Sequence, residues 1–279
     1  MALSKEQLKG RIRNVAKENN ADARILMRIY MMERFLERVS HSKYADSFII
    51  KGGILVTSMV GVSMRSTMDV DTTIRNLNLS EEGIVPIIKE ICEIDMDDDV
   101  LFKIKEVSSI MDEMEYPGIR ININAMLESM VIIIKIDIST DDVITPKAVE
   151  YEYDLMLEDR SIKLWSYNLE TILAEKLQTI LSRGVLNTRM RDFYDIYVLF
   201  LRYRSEIDYV VLKEALEATC IKRNTISLKD SWRDIVDTIE NDSKLNILWE
   251  SYQRKYSYAE DIRYKETIQV ARGLLERIM

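Results

Sequence analysis

Glycine and proline are scarce in this chain, at 8 and 3 of 279 residues. That scarcity argues against long loops and against all-β architectures with many turns. Cysteine is nearly absent. Cys92 and Cys220 lie far apart in apolar surroundings, so a disulfide framework and a cysteine zinc site are both excluded, and buried thiols in a reducing compartment are expected. Histidine occurs once, at His41, which rules out a multi-histidine metal centre. His41 sits in the polar stretch HSKYADS, where a lone histidine reads as a surface or capping residue. Positive charge is also in deficit: the net charge of −8 disfavours broad nonspecific binding to nucleic acid or anionic membrane. No apolar run approaches the roughly 20 residues of a membrane span. The first twenty residues are charged and helical, unlike a secretory leader, so a cytoplasmic protein with no membrane partner is expected. Internal repeats and low-complexity tracts are missing.

What is present is 47% apolar and 31% charged, an ordinary globular composition with 14 tyrosines. Residues 4–40 read as two helices, opened by a Ser4/Gln7 capping box. In the second, Ile25, Leu26, Ile29, Met32, Leu36 and Val39 recur at helical spacing. A helix is expected from Ser80 to Ile94. The acidic run Asp95–Asp99 imitates a calcium loop, but Val100 stands where such a loop needs glycine, so a solvated acidic turn is expected instead. Val100–Ser139 reads as a three-strand meander, with Ile119, Ile121 and Ile123 alternating with Arg120, Asn122 and Asn124. Two short strands follow, near Glu152–Leu157 and Ser161–Trp165. From Asn168 the pattern is helical to the end. The chain therefore divides by architecture at about residue 167, into 1–167 with the strands and 168–279 with helices only.

The stretch Phe48–Ile74 organises the rest. A short apolar strand is broken by Lys51-Gly52-Gly53, a helix and loop follow, and a second strand carries Asp69 and Asp71. Alternate strand residues share a face, so the two carboxylates project together. Paired carboxylates beside a glycine turn that opens a helix suit a metal-bound polyphosphate. Val131–Ser139 places Ile132, Ile134, Ile136 and Ile138 on one face and Lys135 and Asp137 on the other. An aspartate in so apolar a strand is exposed at an edge, paired, or bound to a metal.

Two later helices carry charge on apolar faces. Lys176 is four residues from both Ile172 and Ile180. Either its stem covers apolar surface with its head in water, or its ammonium reaches a triphosphate. Asp192 and Asp195 lie on the face that continues into Ile196 and Leu199, near two arginines, which suggests internal pairing or the positioning of a basic residue, with a structural ion pair favoured for Asp195. Arg183, Arg189, Arg191, Arg202 and Arg204 form a local basic excess, as a phosphate or RNA contact or as solvated surface. Farther on, Trp232, Trp249, Tyr252, Tyr256 and Tyr258 recur at helical spacing, as core more than as a base-stacking platform. The last helix, with Ile268, Val270, Leu274 and Ile278, serves packing or a partner.

The order Lys51-Gly52-Gly53, Asp69-Val70-Asp71, then Asp137 resembles the nucleotidyltransferase fold shared with polymerase β. KLWSYNLETILAEKL (Lys163–Leu177) and NTRMRDFYDIY (Asn187–Tyr197) are similar to the AbiEii/AbiGii toxin nucleotidyltransferases of bacterial abortive-infection and toxin–antitoxin systems. The resemblance covers Asp46 to Leu201. It implies an α+β fold: a mixed, polymerase β-like sheet flanked by helices, then a helical C-terminal region lending Lys176 and Asp192 to the cleft.

Residue by residue, Gly52 and Gly53 match the glycine motif, Asp69 and Asp71 the metal-binding pair, and Asp137 the third carboxylate. Lys176 matches the family's lysine and Asp192 its final aspartate. Polymerase-type members carry Gly-Ser where this chain has Gly52-Gly53, a departure that the toxin family tolerates. The resemblance implies transfer of a nucleoside monophosphate from an NTP to a hydroxyl. Mg2+ would be held by Asp69, Asp71 and Asp137, with Asp137 accepting the acceptor's proton. Lys51, Gly52, Gly53, Arg65, Thr67 and Lys176 would bind the nucleotide. The implied acceptor is RNA, above all tRNA, with growth arrest or aborted phage infection as the outcome and a cognate antitoxin, in one form a DNA-binding repressor, as partner. The alternatives are transfer to a protein or small-molecule hydroxyl, and a non-catalytic NTP-binding module.

Overall fold

The computed structural model describes residues 3–110 and 118–279, which group into two compact units. The first comprises the chain to Asp142 together with Ala148–Ser166; the second comprises Val143–Lys147 and Tyr167–Met279.

The first unit opens with α1 (Lys5–Glu18) and α2 (Ala23–His41). Ser4 and Gln7 form the capping box expected at the start of α1, each side chain bonding the other's backbone N–H. The strands are β1 (Phe48–Lys51), β2 (Val70–Ile74), β3 (Leu101–Ile110), β4 (Gly118–Leu127), β5 (Met130–Thr140), β6 (Val149–Asp154) and β7 (Ser161–Ser166). Between them lie α3 (Gly52–Val60) and α4 (Glu81–Cys92). All seven strands form one sheet in the order β3-β4-β5-β2-β1-β7-β6. It is mixed: β2 runs parallel to β5 and β1 to β7, and the remaining neighbours are antiparallel.

The meander is present as β3, β4 and β5. Alternation decides its faces: Ile134, Ile136 and Ile138 are fully buried, as are Ile121 and Ile123 beside them. α2 packs against β5 and β7 with Leu26, Ile29, Met32, Leu36 and Val39 buried. β5 lies inside the sheet between β4 and β2, so Asp137 does not sit on an edge strand.

α2 also buries four charged side chains that its apolar spacing gave no reason to expect: Glu33, Arg34, Glu37 and Arg38. Arg38 forks onto Asp98 at 2.8 and 2.7 Å, Arg34 reaches Glu158 at 2.6 Å, and Arg160 pairs with Glu37. Asp98 thus belongs to an ion pair rather than to a wholly solvated turn. Glu33 accepts from the Met156 N–H, and burial pushes its carboxyl up to about 8. His41 is exposed as the last residue of α2, its Nδ1 3.0 Å from the Glu37 carbonyl.

The second unit contains α5 (Leu169–Arg183), α6 (Met190–Tyr203), α7 (Tyr209–Lys222), α8 (Leu228–Asn241), α9 (Ser243–Lys255) and α10 (Tyr264–Ile278). Asn168 caps α5 by accepting from the Thr171 N–H at 2.8 Å, and its amide donates to the carbonyls of Thr145 and Lys147. Those bonds draw Val143–Lys147 into the helical unit. Trp232, Trp249 and Tyr252 are core residues, while Tyr256 and Tyr258 are half-buried. α10 is a packing helix, with Ile268, Leu274 and Ile278 buried and Val270 partly exposed. Among the described residues no helix is long and apolar enough to cross a membrane.

Candidate active site

β1 ends at Lys51, and α3 starts directly from Gly52 with φ +59°, a left-handed conformation that favours glycine. Space makes the same demand. A Cβ on Gly52 would stand 2.3 Å from the Asp71 Oδ2, and one on Gly53 would stand 2.5 Å from the Thr67 Oγ1 and 3.2 Å from the Arg65 Nη2. The two glycines therefore let the turn close on the carboxylate strand and its preceding loop. The Gly53 N–H donates to Asp71 Oδ2 at 3.1 Å. Thr67 donates to the Asp69 carbonyl at 3.3 Å, and buried Arg65 bonds the Ser66 carbonyl.

β2 begins at Val70, one residue later than the sequence suggests, so Asp69 occupies the bend before it. Strand register then gathers charge from four strands. Lys51 pairs in register with Asp71, Asp71 with Asp137, and Asp137 with Arg120. Neighbours in register share a face, so these four side chains form one row across β1, β2, β5 and β4.

Each cation in the row is engaged. Arg120 forks onto both oxygens of Asp137 at 2.9 Å each. The Lys51 ammonium donates to Ser139 Oγ at 2.8 Å and pairs with Asp142, and Ser139 donates to Asp142 at 2.7 Å. Lys135, two residues before Asp137 on the same face, holds Asp69 at 2.9 Å. Asp71 has the N–H of Gly53. Burial raises its carboxyl above the ordinary range, the Gly53 N–H opposes this, and the charges of Asp137 and Asp69 add to the rise.

In the helical unit, α5 and α6 bury a second cluster. The Lys176 ammonium lies 2.6 Å from Asp195 and 3.2 Å from Asp192, and Arg189 reaches the other oxygen of Asp192 at 2.8 Å. Asp192 and Asp195 are essentially inaccessible, and Lys176 is buried with them, so its head does not snorkel to water. Burial pushes the Tyr256 phenol up, but the charges and hydrogen bonds of Arg191 and Lys255 together outweigh it and lower the phenol.

Asp69, Asp71, Asp137, Lys51, Gly52, Gly53, Arg65 and Thr67 are therefore brought together in the sheet unit, and Lys176 with Asp192 in the helical unit. Sequence reasoning passed over Arg120, Lys135, Ser139 and Asp142. The first two stood in view on the polar faces of β4 and β5, but only strand register couples them to carboxylates. Among the described residues no group of three or more His, Cys, Asp or Glu side chains stands ready to hold a metal ion.

A mixed sheet with a glycine turn facing paired aspartates is the framework of a nucleotidyltransferase. The fold agrees with that of a proposed nucleotidyltransferase from Helicobacter pylori, at TM-score 0.51 and 14% identity over 91% of this chain and 94% of that one. Weaker likenesses are to JHP933 from Helicobacter pylori (TM-score 0.48, 13% identity, 91% of each chain) and to an antigenic nucleotidyltransferase-like protein from Paracoccidioides brasiliensis (TM-score 0.37, 16% identity, 82% and 95%). No curated protein matches. The family described as nucleotidyl transferase AbiEii toxin, type IV toxin–antitoxin system, matches residues 34–270. The chain belongs to that family and is a nucleotidyltransferase.

Proposed function

We propose that this protein transfers a nucleoside monophosphate from an NTP to a hydroxyl of RNA, with tRNA the leading acceptor, and that this cytoplasmic activity arrests growth or aborts phage infection unless an antitoxin opposes it. The observation that carries the reading is Asp71, bonded by the Gly53 N–H of the glycine turn, in register with Asp137 and two residues after Asp69. The acceptor oxygen forms a bond to the α-phosphorus, the bond to the β-phosphate bridging oxygen breaks, pyrophosphate leaves, and the acceptor's proton passes to a nearby carboxylate.

The donor set fits a divalent cation. Three carboxylates supply hard oxygen ligands, and the upward pressure on Asp71 from its two neighbours is a concentration of negative charge that a cation relieves. Asp69 and Asp71 would hold Mg2+, with Asp137 completing the set when Arg120 yields an oxygen. When bound, the ion lowers the pKa of the attacking hydroxyl and offsets charge on the leaving pyrophosphate. The chain's own groups do the rest. The Gly52-Gly53 turn keeps the approach to the carboxylates free of side chains, and Arg65 and Thr67 shape it. For Lys176 and Asp192 the proposed role, charge balance on the triphosphate and support of that lysine, rests on the family resemblance and on their mutual pairing.

The test is incubation with each labelled NTP, Mg2+ and total cellular RNA, beside the Asp69→Asn variant. Label should enter RNA with the native protein and not with the variant. Label in protein instead, or equal labelling by both proteins, would overturn the reading.

A further inference from the structure

The cations that hold the carboxylates are not equally bound. Arg120 makes two parallel bonds to Asp137, whose side chain is 7% exposed. Lys51 is enclosed with Asp142 and Ser139. Lys135 makes a single-oxygen contact to Asp69, and the two side chains are 28% and 27% exposed. A bidentate, desolvated pair resists separation, whereas a single contact open to water is easily exchanged. Asp71, two residues after Asp69 and facing Asp137, accepts from the Gly53 N–H and has Lys51 as its register neighbour on β1.

A divalent ion entering at Asp69 thus meets the exposed Lys135 as its direct competitor, while Lys51, opposite Asp71, is held back by Asp142 and Ser139. Two cations on one carboxylate repel, so the ion and the ammonium exclude each other from Asp69. Once displaced, the ammonium is still anchored on β5 two residues from Asp137, on the site face, where its register partner is neutral Asn122. A lysine there is a mobile point charge within reach of anions drawn to the ion.

We propose that Lys135 is an internal counter-cation of Asp69 that a divalent metal ion displaces, and that the freed ammonium then pairs with the phosphates of the nucleotide. This deepens the nucleotidyl-transfer reading and rests on it for the nucleotide, but not for the metal. Metal binding and phosphate recognition become linked: the same side chain opposes the ion alone and favours the ion with its nucleotide.

Mn2+ titration without nucleotide, followed by calorimetry or by the electron paramagnetic signal of free Mn2+, tests the first half. Lys135→Met should bind Mn2+ about fivefold more tightly than the native chain, the scale of one exposed pair removed. Lys135→Arg should leave the affinity near native, and Asp69→Asn should weaken it and abolish the gain from Lys135→Met in the double variant. The second half is read with a non-hydrolysable NTP analogue at saturating Mn2+. Lys135→Met should bind the analogue about tenfold more weakly, as expected when a charge-assisted contact is lost, with Lys135→Arg recovering part of the loss. Circular dichroism on each variant checks that the fold persists. Unchanged or weaker Mn2+ binding by folded Lys135→Met, or an equal gain in the Asp69→Asn background, overturns the inference. Failure of RNA labelling alongside the expected Mn2+ shifts would sink the transfer reading and leave Lys135 as the metal's competitor.

Discussion

Two clusters in this protein join lysine to aspartate, and burial separates them. In the helical unit Lys176 is paired with Asp192 and Asp195, and little of any of the three side chains reaches solvent. In the sheet unit Lys135 and Asp69 form a similar pair at a similar distance, but each keeps about a quarter of its side chain in water. The attraction between unit charges at one separation is many times stronger in a dry interior than in water, and so is the cost of leaving either charge alone. The buried cluster is therefore costly to break by removing a member. The exposed pair behaves as a contact that a ligand can replace. Chemistry that requires carboxylates to change partners is better served by the second kind.

Substitutions that cross this divide should differ most. Asp195→Ala leaves the Lys176 ammonium buried with Asp192 as its remaining partner, and should cost about 3 kcal/mol in denaturant unfolding followed by a probe in the helical unit. A loss within a few tenths would mean that the cluster is open to water after all. Gly52→Ala comes next. The left-handed backbone alone costs about 1–3 kcal/mol, and the new methyl displaces the Asp71 carboxylate, so nucleotide transfer should disappear as well. A fully active, fully stable Gly52→Ala protein would show that the turn can relax.

The third prediction carries burial into the sheet unit itself. Glu33 holds its proton to about 8 when folded, against an ordinary 4.5. Between those values the folded state binds the extra proton, so stability falls as pH rises through this window and is greatest at its acid end. Glu33→Gln should flatten that slope in thermal melts across the window. An unaltered slope would assign the pH dependence to other groups. The smallest stability effect belongs to Asp69→Asn, at less than about 1 kcal/mol, as for any pair so exposed. Its transfer activity should nevertheless be lost, and the split between the two readouts is the signature of a working group rather than a structural one.

Much of this was legible in the residues. The capping box at Ser4, the 3.6-residue stripe of α2, the meander and the switch from strands to helices each follow from local pattern, and local pattern is what periodicity reports. Gly52-Gly53 before Asp69 and Asp71 was legible for the same reason, since these residues are close in sequence. The buried charges of α2 were not. Glu33, Arg34, Glu37 and Arg38 read as the polar face of an amphipathic helix, and their partners Met156, Glu158, Arg160 and Asp98 are 60 or more residues away. Asp142 and Ser139 were missed likewise, because nothing near them in the chain marks Lys51 as their partner.

The amino-acid order alone determined the elements, the glycine turn, the carboxylates available to the site and, through its ordered motifs, the family. Tertiary structure decided which charges meet. Register across β1, β2, β5 and β4 aligned Lys51, Asp71, Asp137 and Arg120, and the packing of α5 on α6 enclosed Lys176. The reason is physical. A residue's conformational preference acts over a few neighbours, whereas the strength of an ion pair depends on distance and on access to water, and both exist only once strands and helices distant in the chain have come together.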